Sequence, residues 1–199
     1  MVVDEMMITG FVVSYGLGKL LDEVIARLPT SLDALTRAKQ ELIEEAAKKV
    51  REALELQARK NVEFEVRLAS ALDEREAVAL FLRLLPEAAV ATTRERMEML
   101  AYALAGLFQP DLSAEARSRV SRAVTQLEPS DVVELRKLVE AWDTKDLKDV
   151  TMPTPGRWVL LYTGCVAHPA GPPPPAFWPT DLGRAVLATL VNWPGARGA

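Results

Sequence analysis

The sequence predicts a mainly α protein, a multi-helix bundle with one long amphipathic helix and a small C-terminal piece of different composition. The long helix is predicted because residues 31–69 contain no glycine or proline and are rich in alanine, leucine, glutamate, lysine and arginine. A series of helix-start signals then predicts about four shorter helices. After Asp149 most of the prolines follow and acidic residues almost disappear, which marks off the C-terminal piece.

The long helix carries one apolar stripe. Its apolar residues recur at steps of three, four or seven, as on one face of an α-helix, and mixed charges occupy the opposite face. We predict that the stripe mediates self-association, because alanines within it let a partner helix approach closely. The six candidate residues are Leu35, Leu42, Ala46, Val50, Ala53 and Leu54.

The end of the long helix has two interpretations. Residues 62–68 alternate apolar and charged side chains, which is typical of a strand. No glycine or proline brackets the segment, and no strand of similar strength lies nearby in the sequence. We therefore predict that residues 61–68 are helical, with a strand as the alternative.

Four side chains that can cap a helix begin the shorter helices. They are Asp73, Thr92, Ser113 and Ser130. Asp73 and Thr92 are each followed after three residues by glutamate, as in a capping box. We predict that the first of these helices closes or kinks at Pro86, because proline removes a backbone donor and its ring clashes with the preceding turn.

The C-terminal piece is predicted to hold two short helices on either side of a loop. Residues 157–163 are mostly apolar, and Gly164 suits the left-handed position just beyond a helix end. Thr180 can cap a last helix that runs to Leu190. Residues 168–178 are predicted to form a loop, because consecutive prolines favour polyproline II and deny a strand its donors.

The chain divides into an apolar N-terminal segment at 1–29, a helical body at 30–149 and the proline-rich piece at 150–199, which together can form one continuous domain. Residues 6–21 are apolar but contain three glycines and follow acidic residues. A signal peptide begins with cationic residues, and a spanning helix needs about 20 apolar residues, so we predict a buried or docking segment. An in-plane membrane contact is the alternative.

Composition bounds the class of protein. With 199 residues, of which 49% are hydrophobic and 26% charged, the chain is close to the globular average and can bury a core. A net charge of -4 gives no general attraction to nucleic acid or to an anionic membrane. Cys165 is the only cysteine, so no internal disulfide can form, and we predict a cytoplasmic protein.

No catalytic, cofactor-binding or metal site is readable, and we predict none. The run from Tyr15 to Lys19 lacks both the glycine spacing and the hydroxyl residue of a phosphate loop. Cys165 and His168 could pair as a nucleophile, but their spacing favours a small buried thiol and a solvated histidine. Because the sequence has one histidine, the Glu-x-x-His motif of di-metal bundles is absent.

Two further groups of residues have a functional and a structural interpretation. The first is the most basic part of the sequence, for which ordinary surface charge is favoured over phosphate contact. It consists of Arg94, Arg96, Arg117, Arg119 and Arg122. Three of the four tryptophans lie in the C-terminal piece, namely Trp158, Trp178 and Trp193. Pinning of loops onto the helical body is favoured for them over an aromatic clamp for a partner.

The C-terminal order of elements resembles the end of a winged-helix domain. The segment LLYTGCV at 160–166 is similar to the leucine-rich helix followed by Gly-Leu-Val of that family, and a loop follows where the wing would be. The segment TDLGRAVL at 180–187 is similar to the Leu-Thr-x-x-Gly-x-x-Leu segment after a wing, with Pro179 in place of its first leucine. The resemblance implies a small winged-helix-like C-terminal piece.

Two departures from that family affect the function implied. Prolines stand where the family has a β-hairpin with basic residues, and the piece lacks the Arg- and Lys-rich helix that reads DNA. The resemblance therefore implies a packing module more than a DNA reader. A helical body with a degenerate winged-helix-like end is also similar to uncharacterised bacterial Abi-alpha-like proteins, which implies a link to bacterial stress or phage defence.

These observations predict a non-enzymatic interaction or regulatory protein that self-associates through its long helix. We expect a second copy or another helical protein as the partner. The first alternative is a winged-helix-type DNA-binding transcriptional regulator with Arg157 and Arg184 on phosphates, although the charge balance does not favour nucleic acid. The second is a membrane-surface effector acting through residues 6–21.

Overall fold

Helices dominate the fold. The computed structural model describes residues 33–60, 75–108, 112–144, 155–168 and 177–197, and helices hold 78% of the described residues. In chain order the elements are α1 (Asp33–Lys60), α2 (Arg75–Ala89), α3 (Arg94–Gly106), α4 (Ala114–Gln126), α5 (Pro129–Asp143), α6 (Pro155–Tyr162), β1 (Val166–Ala167), β2 (Trp178–Pro179), α7 (Asp181–Thr189) and a 3₁₀ turn (Pro194–Arg197). The predicted mainly α class is confirmed. The predictions for residues 6–21 and 61–68 fall outside the described residues.

Two of the predicted N-caps lie at or next to the observed helix starts. Ser113 caps α4 as predicted, and its hydroxyl accepts a hydrogen bond from the Ala116 N–H over 3.2 Å. The cap of α3 is Thr93, whose hydroxyl accepts from the Arg96 N–H over 3.1 Å, and not the predicted Thr92. Two adjacent threonines offer the same chemistry, so the sequence located this helix start to within one residue.

The predicted start of α5 at Ser130 is wrong. The N-cap is Glu128, and Pro129 occupies the first helical position. The Glu128 N–H donates to the Asp131 carboxylate over 2.8 Å, which satisfies a backbone donor at the helix start. The helix begins earlier because the fixed φ of proline suits that first position.

Of the two alternatives predicted at Pro86, closure of the helix is wrong, since α2 continues through Pro86 to Ala89. A kink at this position stays a prediction. The Val90 N–H donates to the Pro86 carbonyl over 3.1 Å, so the helix makes a further turn. Leu85 and Ala88, on either side of the proline, are buried. Packing of this turn into the core offsets the backbone hydrogen bond that proline cannot make.

α3 is the central helix of the fold. Eight of its 13 residues are buried, and it contacts α1, α2, α4 and α7. A helix with neighbours on several sides is apolar around most of its circumference, which explains the run of alanine, leucine and methionine in its sequence. The core therefore forms around α3, with α1 and α2 on one side and α7 from the C-terminal piece on another.

α3 and α7 approach so closely that only glycine fits at their contact. A Cβ atom added to Gly106 would lie 2.0 Å from the Thr189 carbonyl oxygen and 2.6 Å from its Cα. We expect Gly106→Ala to lower the free energy of unfolding by about 2 kcal/mol, because the added methyl group forces these backbones apart. The higher helix propensity of alanine, about 1 kcal/mol, offsets only part of this cost. Urea denaturation followed by circular dichroism measures the change. An unchanged or higher midpoint would contradict the close contact.

The C-terminal piece runs from α6 through a two-stranded antiparallel sheet to α7. Val166 lies opposite Pro179, and Ala167 lies opposite Trp178. Trp178 was predicted to be in a loop and is instead in β2. A proline is tolerated beside it because both strands of a two-stranded sheet are edges, where a missing donor leaves no partner unsatisfied.

Thr180 connects the elements of the C-terminal piece. As predicted, its hydroxyl caps α7, accepting from the Gly183 N–H over 3.1 Å. The same hydroxyl lies 2.6 Å from the Gly164 carbonyl oxygen and 3.0 Å from that of Cys165, to which it donates. Gly164 itself ends α6 with a positive φ of 76°, in agreement with its predicted role. One side chain thus fixes the end of α6, the start of β1 and the start of α7.

Candidate functional site

The predicted self-association stripe of α1 is part of the intramolecular core. Ala46, Val50, Ala53 and Leu54 are at most 1% exposed, and α1 packs against α2 and α3. Leu42 is 41% exposed, and the side chain of Leu35 lies outside the described part of the structure. The structure therefore corrects the location of the candidate surface, because neighbouring helices of the same chain already cover most of the stripe. Self-association as such stays a prediction.

The predicted phosphate contact Arg184 is engaged in an ion pair. Its guanidinium donates to both carboxylate oxygens of Asp143, over 3.0 and 2.6 Å, and so joins α7 to the end of α5. These hydrogen bonds hold the pKa of Asp143 below its ordinary 3.8. The pair therefore stabilises the folded state above about pH 3.8, and this stabilisation is lost as the pH falls through the lowered pKa of Asp143. Its contribution to the free energy of unfolding is small because both side chains are exposed. The side chain of Arg157 lies outside the described residues.

Cys165 and His168 have separate surroundings. The Cys165 side chain is fully buried, and the ring of His168 packs edge-on against Phe177 at a centroid distance of 4.9 Å. Burial raises the pKa of the Cys165 thiol above its ordinary 9.0, although a hydrogen bond with Thr163 acts in the opposite direction. The thiol therefore stays neutral at physiological pH, whereas a nucleophilic cysteine needs a lowered pKa.

The burial of Cys165 predicts its reactivity. We expect thiol reagents to modify the native protein at pH 8 roughly 100-fold more slowly than the urea-unfolded protein, since access requires an opening that costs about 3 kcal/mol. Mass spectrometry of samples quenched over time measures both rates. Equal rates in the native and unfolded states would show that the thiol is exposed in solution.

Two members of the predicted arginine cluster are neutralised by carboxylates. Arg94 forms an ion pair with Glu98 over 3.2 Å, one turn along α3. Arg96 pairs with Glu128 and also donates to the Thr125 carbonyl over 3.1 Å, so it ties α3 to the end of α4. These two residues have structural roles. Arg122 has a different partner, the hydroxyl of Ser118.

A cavity of about 180 Å³ lies between α1, α3 and the 3₁₀ turn, lined by Lys49, Glu52, Glu98, Ala101, Tyr102 and Pro194. The Lys49 ammonium lies 3.0 Å from Glu52 and 3.7 Å from Glu98, so its charge is compensated. Burial, followed by the charge of Glu98, raises the pKa of Tyr102, and its phenol stays neutral. The cavity is smaller than the usual 300 Å³ or more of ligand pockets.

The tryptophans of the C-terminal piece divide between the two predicted roles. Trp193 is 1% exposed and anchors the segment after α7 in the core. Trp158 on α6 is 47% exposed, and one side of its ring meets Phe177 edge-on at 6.4 Å. Tyr162, one turn later on the same helix, is 84% exposed. We call Trp158 and Tyr162 the aromatic face of α6. Their spacing of four residues is the sequence signal for this face, and of the two only Trp158 was predicted as a candidate for binding.

The described residues bring together no group of three or more histidine, cysteine, aspartate or glutamate side chains that could hold a metal ion. Among the described helices, none combines the length and the apolar content that crossing a bilayer requires. Comparison with known proteins finds no matching family model, no matching curated protein and no matching solved structure. Among the described residues, the exposed large aromatic side chains are Trp158 and Tyr162.

Proposed function

We propose that this protein is a non-enzymatic interaction protein that self-associates through the aromatic face of α6. The observation that carries the proposal is the exposure of two large aromatic side chains, Trp158 at 47% and Tyr162 at 84%, one turn apart. Tryptophan and tyrosine are enriched in the cores of interfaces, because they bury a large apolar area and keep a polar group for hydrogen bonding.

The anchoring of α6 supports the use of its outer side for binding. The helix packs on α5 and β1, and Leu160 is fully buried between its exposed neighbours. A rigid face loses little conformational entropy on association. The long helix α1 contributes to this function from within the core, where it supports α2 and α3.

A second copy of the chain is the partner that we favour. In a two-fold dimer both subunits offer the same surface, so rings that are exposed on one subunit can cover those of the other. A role in bacterial stress or phage defence and a cytoplasmic location, as the resemblance and the single cysteine imply, belong to the same proposal.

Size-exclusion chromatography with light scattering tests this function. We expect an oligomer for the unaltered chain and a folded monomer for the double variant Trp158→Ser, Tyr162→Ser. Val90→Ser is the matched control, because Val90 is an apolar residue that is 64% exposed on another part of the surface. The unaltered chain running as a monomer at high concentration would refute self-association, and an oligomer that survives the double variant would refute the role of this face.

DNA binding is the second candidate function, and the order of elements favours it. A helix, an antiparallel pair of strands and a capped helix follow one another in α6, β1, β2 and α7, as in the winged-helix resemblance. The pairing of Arg184 with Asp143 weakens this candidate. Retention of duplex DNA that falls steeply with salt and is reduced by Arg157→Gln would support it, because phosphate contacts release counterions.

A further inference from the structure

Serine hydroxyls, and not carboxylates, hold two arginines on neighbouring helices. Arg83 of α2 donates from Nη1 to Ser121 Oγ of α4 over 2.7 Å, and Arg122 of α4 donates from Nη2 to Ser118 Oγ over 3.3 Å. Both arginines are exposed, and neither forms an ion pair with any residue that the structure describes. A guanidinium has five N–H donors, so in each group most donors are not used by any residue that the structure describes.

The two guanidinium groups contact the same turn of α4, through Ser121 and Ser118. Ser118 and Ser121 are three residues apart on α4, where side chains on one face are about 5–6 Å from each other at Cβ. Ser121 is fully buried, and its hydroxyl donates to the Ser118 carbonyl over 3.0 Å. This hydroxyl therefore has a fixed direction and holds the Arg83 guanidinium on the turn of α4 that also carries Ser118, the partner of Arg122.

We propose that Arg83 and Arg122 bind a single phosphate group of a small molecule, with the Ser118 hydroxyl as an additional donor. A phosphomonoester carries a charge of about -1.5 to -2 at neutral pH and three acceptor oxygens, which two guanidinium groups complement. Arginine is suited to this role because its planar donors match phosphate oxygens in pairs. Because the serines already orient both side chains, binding costs less entropy than it would with free arginines.

The surroundings favour a small ligand over a nucleic acid. Glu87 lies one turn after Arg83 on α2, and Glu115 lies one turn before Ser118 on α4; both carboxylates are exposed. They interrupt the continuous positive surface that a polymeric phosphate backbone requires. The site involves α2 and α4 and is independent of the aromatic face of α6.

Titration of inorganic phosphate into the ¹⁵N-labelled full chain, followed by the arginine Nε–H signals and the backbone amides of residues 118–122, tests the proposal. We expect saturable shifts at millimolar phosphate, and about tenfold weaker binding for Arg83→Gln and for Arg122→Gln. Ser121→Ala keeps both charges and should also weaken binding, since it frees Arg83. Arg51→Gln, which removes the same charge from an exposed position on α1, should leave binding unchanged.

Three outcomes would overturn the site, provided that circular dichroism shows the variants folded. One is the absence of saturable shifts. Another is a loss in Arg51→Gln equal to that in Arg122→Gln, which would indicate attraction by overall charge. The third is tighter binding of duplex DNA than of inorganic phosphate at equal phosphate concentration, which would assign the arginines to a nucleic-acid backbone.

Discussion

Val50→Glu is expected to unfold this protein or to lower its free energy of unfolding by roughly 5 kcal/mol. Val50 is 1% exposed, and α1, the helix that carries it, packs against α2 and α3. An uncompensated charge at a buried position costs about 3–5 kcal/mol, and the lost burial of valine adds about 1.5 kcal/mol or more. Small domains are stable by only about 5–15 kcal/mol, so this change removes most of the margin. Urea denaturation followed by circular dichroism measures it.

Leu42→Glu is the matched control on the same helix. Leu42 is 41% exposed, so its carboxylate remains in water and the free energy of unfolding should change by no more than about 0.5 kcal/mol. The pair of variants separates a core stripe from an intermolecular one. If Val50→Glu gave a folded monomer from an oligomeric parent, the α1 stripe would be an interface between copies.

Trp193→Ala is expected to lower the free energy of unfolding by about 3–5 kcal/mol. Among the described residues, Trp193 is the largest fully buried side chain, and its backbone N–H donates to the Leu190 carbonyl over 3.0 Å. Gly195 lies against the indole, since a Cβ atom there would be 2.4 Å from Cζ2. Removing the indole leaves a cavity that these fixed neighbours cannot fill. Thermal and urea denaturation give the change in stability.

Trp158→Ala makes the same chemical change at a side chain that is 47% exposed. The loss of unfolding free energy should be much smaller than for Trp193→Ala, because about half of the Trp158 side chain is already in contact with solvent. A loss in Trp193→Ala as small as that in Trp158→Ala would mean that the indole of Trp193 is not in the core.

The local pattern of the sequence was sufficient to predict several helices and their ends. Ser113 and Thr180 cap their helices through hydrogen bonds that span three residues along the chain. Gly164 ends a helix through its own backbone angle. Such features are local, so they are readable without the fold. Ser130 failed as a cap because Pro129 next to it is the stronger signal.

Long-range partners could not be predicted in this way. The spacing of Val50 and Leu54 correctly indicates an apolar face, but periodicity does not say whether the same chain or another one covers it. Arg184 was predicted to contact phosphate because its carboxylate partner could not be recognised. That partner, Asp143, lies 41 residues earlier, and no local pattern connects the two. Arg83 and Ser121, 38 residues apart, were not connected for the same reason.

The close contact of Gly106 with Thr189 also bears on synthesis of the chain by the ribosome. Translation proceeds at about 5–20 residues per second, so roughly 4–17 s pass between the appearance of α3 and that of α7. During this interval the central helix lacks one of its neighbours, and part of its apolar surface is open to chaperones or to other nascent chains. Burial around α3 is thus completed only after α7 has been translated, together with the segment that carries Trp193.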